Sequence, residues 1–187
     1  MYNGVKDNLG VPFKLFCLTD SKWKTSLPIE FVDVTNYQLD TWWNKLVMFD
    51  SSVSGPNVNL YFDLDVKIVG NLDFLTHIQD DGLYVVDSVW KGGDYLNARN
   101  YKKFGNAFYC YGNSSVLGWR GKSQQYLLDK VIDNPFITMK HFGDDTYLNS
   151  CANIKYFEQL ICDYYSDDIM FQMKDKRVLI HFKDPPI

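Results

Sequence analysis

The chain is poor in cysteine and lacks any spacing that would put cysteines to work together. Its four, Cys17, Cys110, Cys151 and Cys162, lie far apart with no Cys-x-x-Cys. They read as reduced structural thiols in a cytoplasm-like compartment, Cys17 as a buried strand thiol, rather than as a zinc or redox set. A basic excess is also missing: 19 Lys+Arg stand against 23 Asp+Glu, a net charge of −4. That balance excludes the electrostatic footprint of a nucleic-acid binder. No apolar run approaches the roughly 18 residues of a transmembrane segment. The opening MYNGVKDNLG has no apolar stretch of the signal-peptide kind, and the sequon Asn113-Ser114-Ser115 therefore reads as incidental. Internal repeats, low-complexity tracts and linker-like stretches are absent too, so residues 1–187 read as one domain.

What is present suits a globular fold. With 17% aromatic residues and a modest net charge, the chain is not disordered. A domain of this length buries roughly 70% of its unfolded surface and needs no metal or disulfide merely to fold. Residues 2–9 read as helix, stopped by Gly10 and Pro12. FKLFCLTD (13–20), IEFVDV (29–34), VNLYFDLDVKIVG (58–70), GLYVVDSVW (82–90), NSSVLGW (113–119) and RVLIHF (177–182) read as strands. TWWNKLVMFD (41–50) has helical spacing, its Trp42-Trp43 pair reading as core rather than as a sugar platform. QQYLLDKVID (124–133) is a helix stopped at Asn134-Pro135, and DDTYLNSCA (144–152) a short one. YFEQLICDYYSDD (156–168) holds another short element, and the polar stretch 91–108 reads as a long loop. Strands alternating with helices predict an α/β layered fold.

The main chemical signal is Asp63-Leu64-Asp65 at the end of an apolar strand. In a strand, residues i and i+2 share a face, roughly 6.6–6.8 Å apart by rise. Two carboxylates so placed repel unless a proton or cation intervenes. A hard divalent ion, Mn²⁺ or Mg²⁺, suits such a pair, with substrate phosphates completing the shell. A solvated strand end is the plainer alternative.

The surroundings of that triplet resemble nucleotide-sugar-dependent glycosyltransferases of the GT-A type, of bacterial and phage-like kinds. In that family a strand ends in Asp-x-Asp and runs on into a Val-Gly-Asn-Leu-Asp stretch, here Val66 to Asp73. LFCLTD (15–20), WWNKLVMF (42–49), NSSVLGW (113–119), Gly143-Asp144-Asp145 and IHFKDPP (180–186) follow in matching order. The resemblance implies a Rossmann-like mixed sheet flanked by helices. It also implies a hexosyl group moved from a nucleoside-diphosphate sugar, a UDP-sugar by preference, to an acceptor hydroxyl. Within it, Asp63, Asp65 and His181 would hold Mn²⁺ or Mg²⁺. Lys45, Asp63, Asn113, Ser114 and Lys183 would contact the donor, and Asp144 and Asp145 would sit at the reacting centre. Two departures stand out. The family's opening strand, which normally contacts the base, has no counterpart here, which predicts loose base selectivity. Asp145 stands where the family usually has Gln.

Each residue also has a plainer reading. His181 and Lys183 suit a solvated chain end, Lys45 a snorkelling lysine, Asn113-Ser114 a turn, and Asp144 a helix N-cap. Two rival functions remain: a degenerate transferase that binds nucleotide or sugar without turnover, and a haloacid-dehalogenase-like phosphatase with Asp63 as nucleophile and Asp65 as acid/base.

Overall fold

The computed structural model describes residues 1–87, 112–157, 162–165 and 179–182, with backbone alone at 87, 162–165 and 179–182. Helix α1 (Tyr2–Asn8) leads into β1 (Leu15–Thr19) and β2 (Ile29–Asp33), which pair in parallel. Two 3-10 helices follow, η1 (Thr35–Tyr37) and η2 (Thr41–Phe49), and then strands β3 (Val58–Phe62) and β4 (Val66–Ile68). A third 3-10 turn, η3 (Asp73–Thr76), precedes β5 (Leu83–Asp87) and β6 (Gly112–Arg120). Helices α2 (Gln125–Asp133), α3 (Ile137–Lys140) and α4 (Asp144–Cys151) then lead to β7 (Ile154–Tyr156), β8 (Cys162–Tyr165) and β9 (Leu179–Phe182).

The central sheet runs β3-β6-β5-β7, and a smaller one runs β4-β9-β8. Both are mixed. β6 is antiparallel to β3 and β5, whereas β7 is parallel to β5. β9 is antiparallel to β4 and parallel to β8. Strand β6 separates two cores because alternate side chains face opposite sides. Leu117 and Trp119 join Leu46, Phe49, Leu127, Val131 and Tyr147 on one side. Val116 joins Leu72, Leu75, Ile78 and Val86 on the other. On that second face, two residues from Val116, Gly118 admits close packing. A Cβ there would lie 2.6 Å from Ile78 Cδ1 and 2.9 Å from Phe157 Cζ. Gly118→Ala is therefore expected to cost about 2 kcal/mol by overpacking. Urea melts should show a lower midpoint at unchanged slope.

Four expectations change. The 41–50 segment is helical but forms a 3-10 rather than an α-helix. A 3-10 helix has three residues per turn, so Trp43, Leu46 and Phe49 fall on one line, and all three are buried. The Trp pair splits: Trp43 is 5% exposed and Trp42 is 51% exposed. The 58–70 run is two strands, not one. Asp63-Leu64-Asp65 forms the turn between them, where Val66 N–H donates to Asp63 C=O at 3.1 Å. Leu64 points to solvent, 89% exposed, so the two carboxylates do not share a strand face. Finally, Cys17 is half-buried, as is all of β1, and both Cys17 and Cys151 carry free thiols. The 91–108 stretch lies outside the described residues, as does most of 156–168.

Candidate functional site

The site forms where η2, the β3–β4 turn, the start of β6 and the N-terminus of α4 converge on one ammonium group. Lys45 reaches inward from η2, its side chain only 10% exposed. Its Nζ lies 3.0 Å from Asp63 Oδ1 and 3.0 Å from Asp144 Oδ2. It also donates to Ser114 Oγ at 2.9 Å. Burial works against the ammonium, but Asp144, Asp63 and Asp145 together outweigh it and hold its pKa above the ordinary lysine value. Lys45 thus stays charged, the cation of an otherwise acidic cluster among the described residues.

Each carboxylate is oriented by its own element. Asp63 accepts a 2.7 Å bond from the Tyr61 hydroxyl. Burial, with the Asp63 charge added, pushes the Tyr61 pKa up, so it remains a phenol donor. Asp144 opens α4, where the helix N-terminus favours negative charge, and it accepts from Ser114 Oγ at 2.5 Å. Asp145 Oδ1 accepts the Ser114 N–H at 2.7 Å, and its Oδ2 takes a long bond from Asn113 Nδ2 at 3.5 Å.

A β-bulge makes these bonds available. Along β5 and β6 the register passes from Val85↔Leu117 to Val86↔Asn113. Ser114, Ser115 and Val116 are thereby released from β5. The backbone of Ser114 and Ser115 serves the site instead: Ser114 N–H goes to Asp145, Ser115 N–H goes to Asn113 Oδ1 at 3.0 Å, and Ser115 C=O accepts Asp63 N–H at 2.8 Å. Bulges beside functional sites commonly re-aim strand groups in this way.

The structure therefore brings together Lys45, Asp63, Asn113, Ser114, Asp144 and Asp145. Asp65 lies half-buried in the adjoining turn, close enough for its charge to act on Tyr61. His181 is placed by backbone register opposite Val66, the residue after Asp65; its side chain, like the whole of Lys183, is outside the described residues. Among the described residues, no three His, Cys, Asp or Glu side chains gather closely enough to hold one metal ion. The donor types at the turn, two carboxylates with an imidazole-bearing residue in the facing register, suit Mn²⁺ or Mg²⁺.

Two site residues were not anticipated from sequence. Tyr61 precedes Asp63 by two, a spacing that puts both on one face at a strand end. Asn149 exchanges bonds with both backbone groups of Gly112, at 3.1 and 2.9 Å, and caps Asp145 C=O at 2.8 Å. It ties α4 to the start of β6, and only its i+4 spacing from Asp145 hinted at this.

No protein-family model and no curated protein sequence matches the chain. Solved structures do match. The galactosyltransferase LgtC, in complex with donor and acceptor sugar analogs, superposes with a TM-score of 0.57 at 15% identity, over 84% of this chain and 67% of that one. This chain has the GT-A glycosyltransferase fold. An active-site mutant of LgtC gives a TM-score of 0.55 at 16% identity, over 84% and 68%. The glycosyltransferase GlyE of Streptococcus pneumoniae TIGR4 gives 0.57 at 15%, over 84% of this chain and 41% of its own. The expected mixed sheet flanked by helices is therefore present. Among the described residues no helix is long and apolar enough to cross a membrane.

Proposed function

We propose that the chain transfers a hexosyl group from a nucleoside-diphosphate sugar, a UDP-sugar by preference, to an acceptor hydroxyl, with Mn²⁺ or Mg²⁺ at the Asp63–Asp65 turn. The observation that carries this reading is the Lys45 cluster, set at the convergence of four elements of a GT-A fold. Asp63, Asp65 and His181 would hold the ion, which when bound supplies Lewis-acid stabilisation of the departing diphosphate. Lys45 adds a fixed positive charge beside the same centre. A preorganised, poorly hydrated charge stabilises developing negative charge more than solvent can. Asp144 and Asn113 present acceptors and donors suited to sugar hydroxyls. Asp145 holds the bulged strand that carries Asn113 and Ser114, so its first role is positional.

The test is calorimetric. UDP should bind more tightly with Mn²⁺ present, and EDTA should abolish that gain. Equal affinity with and without the ion would remove the metal from the reading. A non-catalytic nucleotide- or sugar-binding module is the second reading, and one observation favours it: both Asp145 oxygens are already bonded within the protein. Release of UDP from a UDP-sugar would exclude it, whereas affinity without release would establish it.

A further inference from the structure

We propose that Trp42 is the platform on which a saccharide acceptor stacks, an inference that rests on the sugar-transfer reading above. Trp42 precedes Lys45 by three residues on η2. In a 3-10 helix, side chains at i and i+3 eclipse, so the indole lies on the same edge of η2 as the buried ammonium. Unlike Trp43, which is 5% exposed, Trp42 is 51% exposed. A single exposed aromatic is ordinary. This one is set against the site. A Cβ on Gly143 would stand 3.3 Å from Trp42 Nε1, 3.7 Å from Cδ1 and 3.8 Å from Cε2. The pyrrole edge of the indole thus rests on the residue just before Asp144, an approach that a side chain at Gly143 would crowd.

The order of contacts assigns the occupant. Asp65 lies beside Asp63, Asp63 contacts Lys45, Lys45 contacts Asp144, and Gly143 next to Asp144 supports Trp42. The diphosphate end of the proposed donor lies at the Asp63–Asp65 turn, and the transferred sugar falls over Lys45 and Asp144. Counted along these contacts, Trp42 is the member furthest from Asp65, on the Asp144 side of Lys45, and the acceptor is assigned to it. A pyranose ring offers an apolar C–H face to an indole, while its hydroxyls reach the Asp144 carboxylate. Aromatic surfaces with a polar rim fit such two-sided ligands.

The experiment uses the full chain with UDP and Mn²⁺ present, and lactose and cellobiose as probes. Saturation-transfer NMR should show the ring C–H protons of at least one disaccharide in contact with the parent protein. Trp42→Ala should weaken that binding roughly tenfold, and Trp42→Phe should retain part of it. UDP affinity should match the parent in both variants, which shows that each is folded. Equal disaccharide binding by Trp42→Ala, or no disaccharide contact with the parent, would overturn the proposal. Failure of UDP to bind would instead sink the sugar-transfer reading, and the disaccharide measurement repeated without nucleotide would still decide the role of Trp42.

Discussion

Replacing Lys45 with methionine is expected to cost about 3 kcal/mol of stability, because it leaves the largely buried carboxylates of Asp63 and Asp144 without their cation. The figure sits at the low end for a broken buried pair because Asp63 is 24% exposed. For a chain of this length that is a fall of roughly 8 °C in Tm. The folded-state pKa of Lys45 is raised above the ordinary 10.5. Its contribution is therefore fully present below pH 10.5 and is lost as pH rises through the higher folded value. Parallel melts of parent and variant should differ by a constant amount from neutral pH to about 10 and converge only above that. Mn²⁺ supplies a second test. An ion sharing Asp63 with Lys45 should stabilise the methionine variant more than the parent. A variant that melts with the parent at pH 7 would show that the cluster contributes nothing to the fold.

Asp65→Asn should have the largest effect on catalysis and almost none on stability. Asp65 sits half-buried in a turn, and substitutions outside the core usually stay within about 0.5 kcal/mol. If Asp65 holds the proposed ion, loss of that charged contact removes several kcal/mol of transition-state stabilisation. At 1.36 kcal/mol per tenfold, transfer should fall roughly a hundredfold to a thousandfold. UDP affinity should lose most of its dependence on Mn²⁺ in the same variant. Parent-like turnover in a protein that melts normally would remove Asp65 from the site.

Much of the fold was legible in the sequence because its cues are local. Alternation marked IEFVDV, helical spacing marked QQYLLDKVID, and Asn134-Pro135 marked where α2 stops. Three of the differences concern choices that local pattern leaves open. The apolar positions at 42, 43, 46, 47 and 49 fit periods of 3.6 and 3.0 alike, and only packing against α2 and α4 selects the tighter helix. Asp63 and Asp65 suit a strand end or a turn equally well by composition. Cys17 lies in an apolar run, yet β1 pairs with an exposed neighbour, so its burial is partial.

The site was legible as a set of residues and not as a network. Lys45, Asp63, Asn113, Ser114, Asp144 and Asp145 do meet, although up to 100 positions separate them. The bulge in β6 was invisible because register depends on the partner strand. Asn149 was missed for the same reason: its work is to bond the backbone of Gly112, and a backbone has no sequence signature.

That bulge also gives the protein a pair of built-in spectroscopic reporters. The Ser114 and Ser115 amides donate to the side chains of Asp145 and Asn113, whereas Leu117 and Gly118 two steps along sit in the regular ladder. The first pair should shift in amide NMR spectra, and change its hydrogen-exchange rate, whenever a ligand draws on Asp145 or Asn113. The second pair should exchange only when the sheet itself opens. One labelled sample would thus report occupancy of the site and integrity of the fold on separate, adjacent signals.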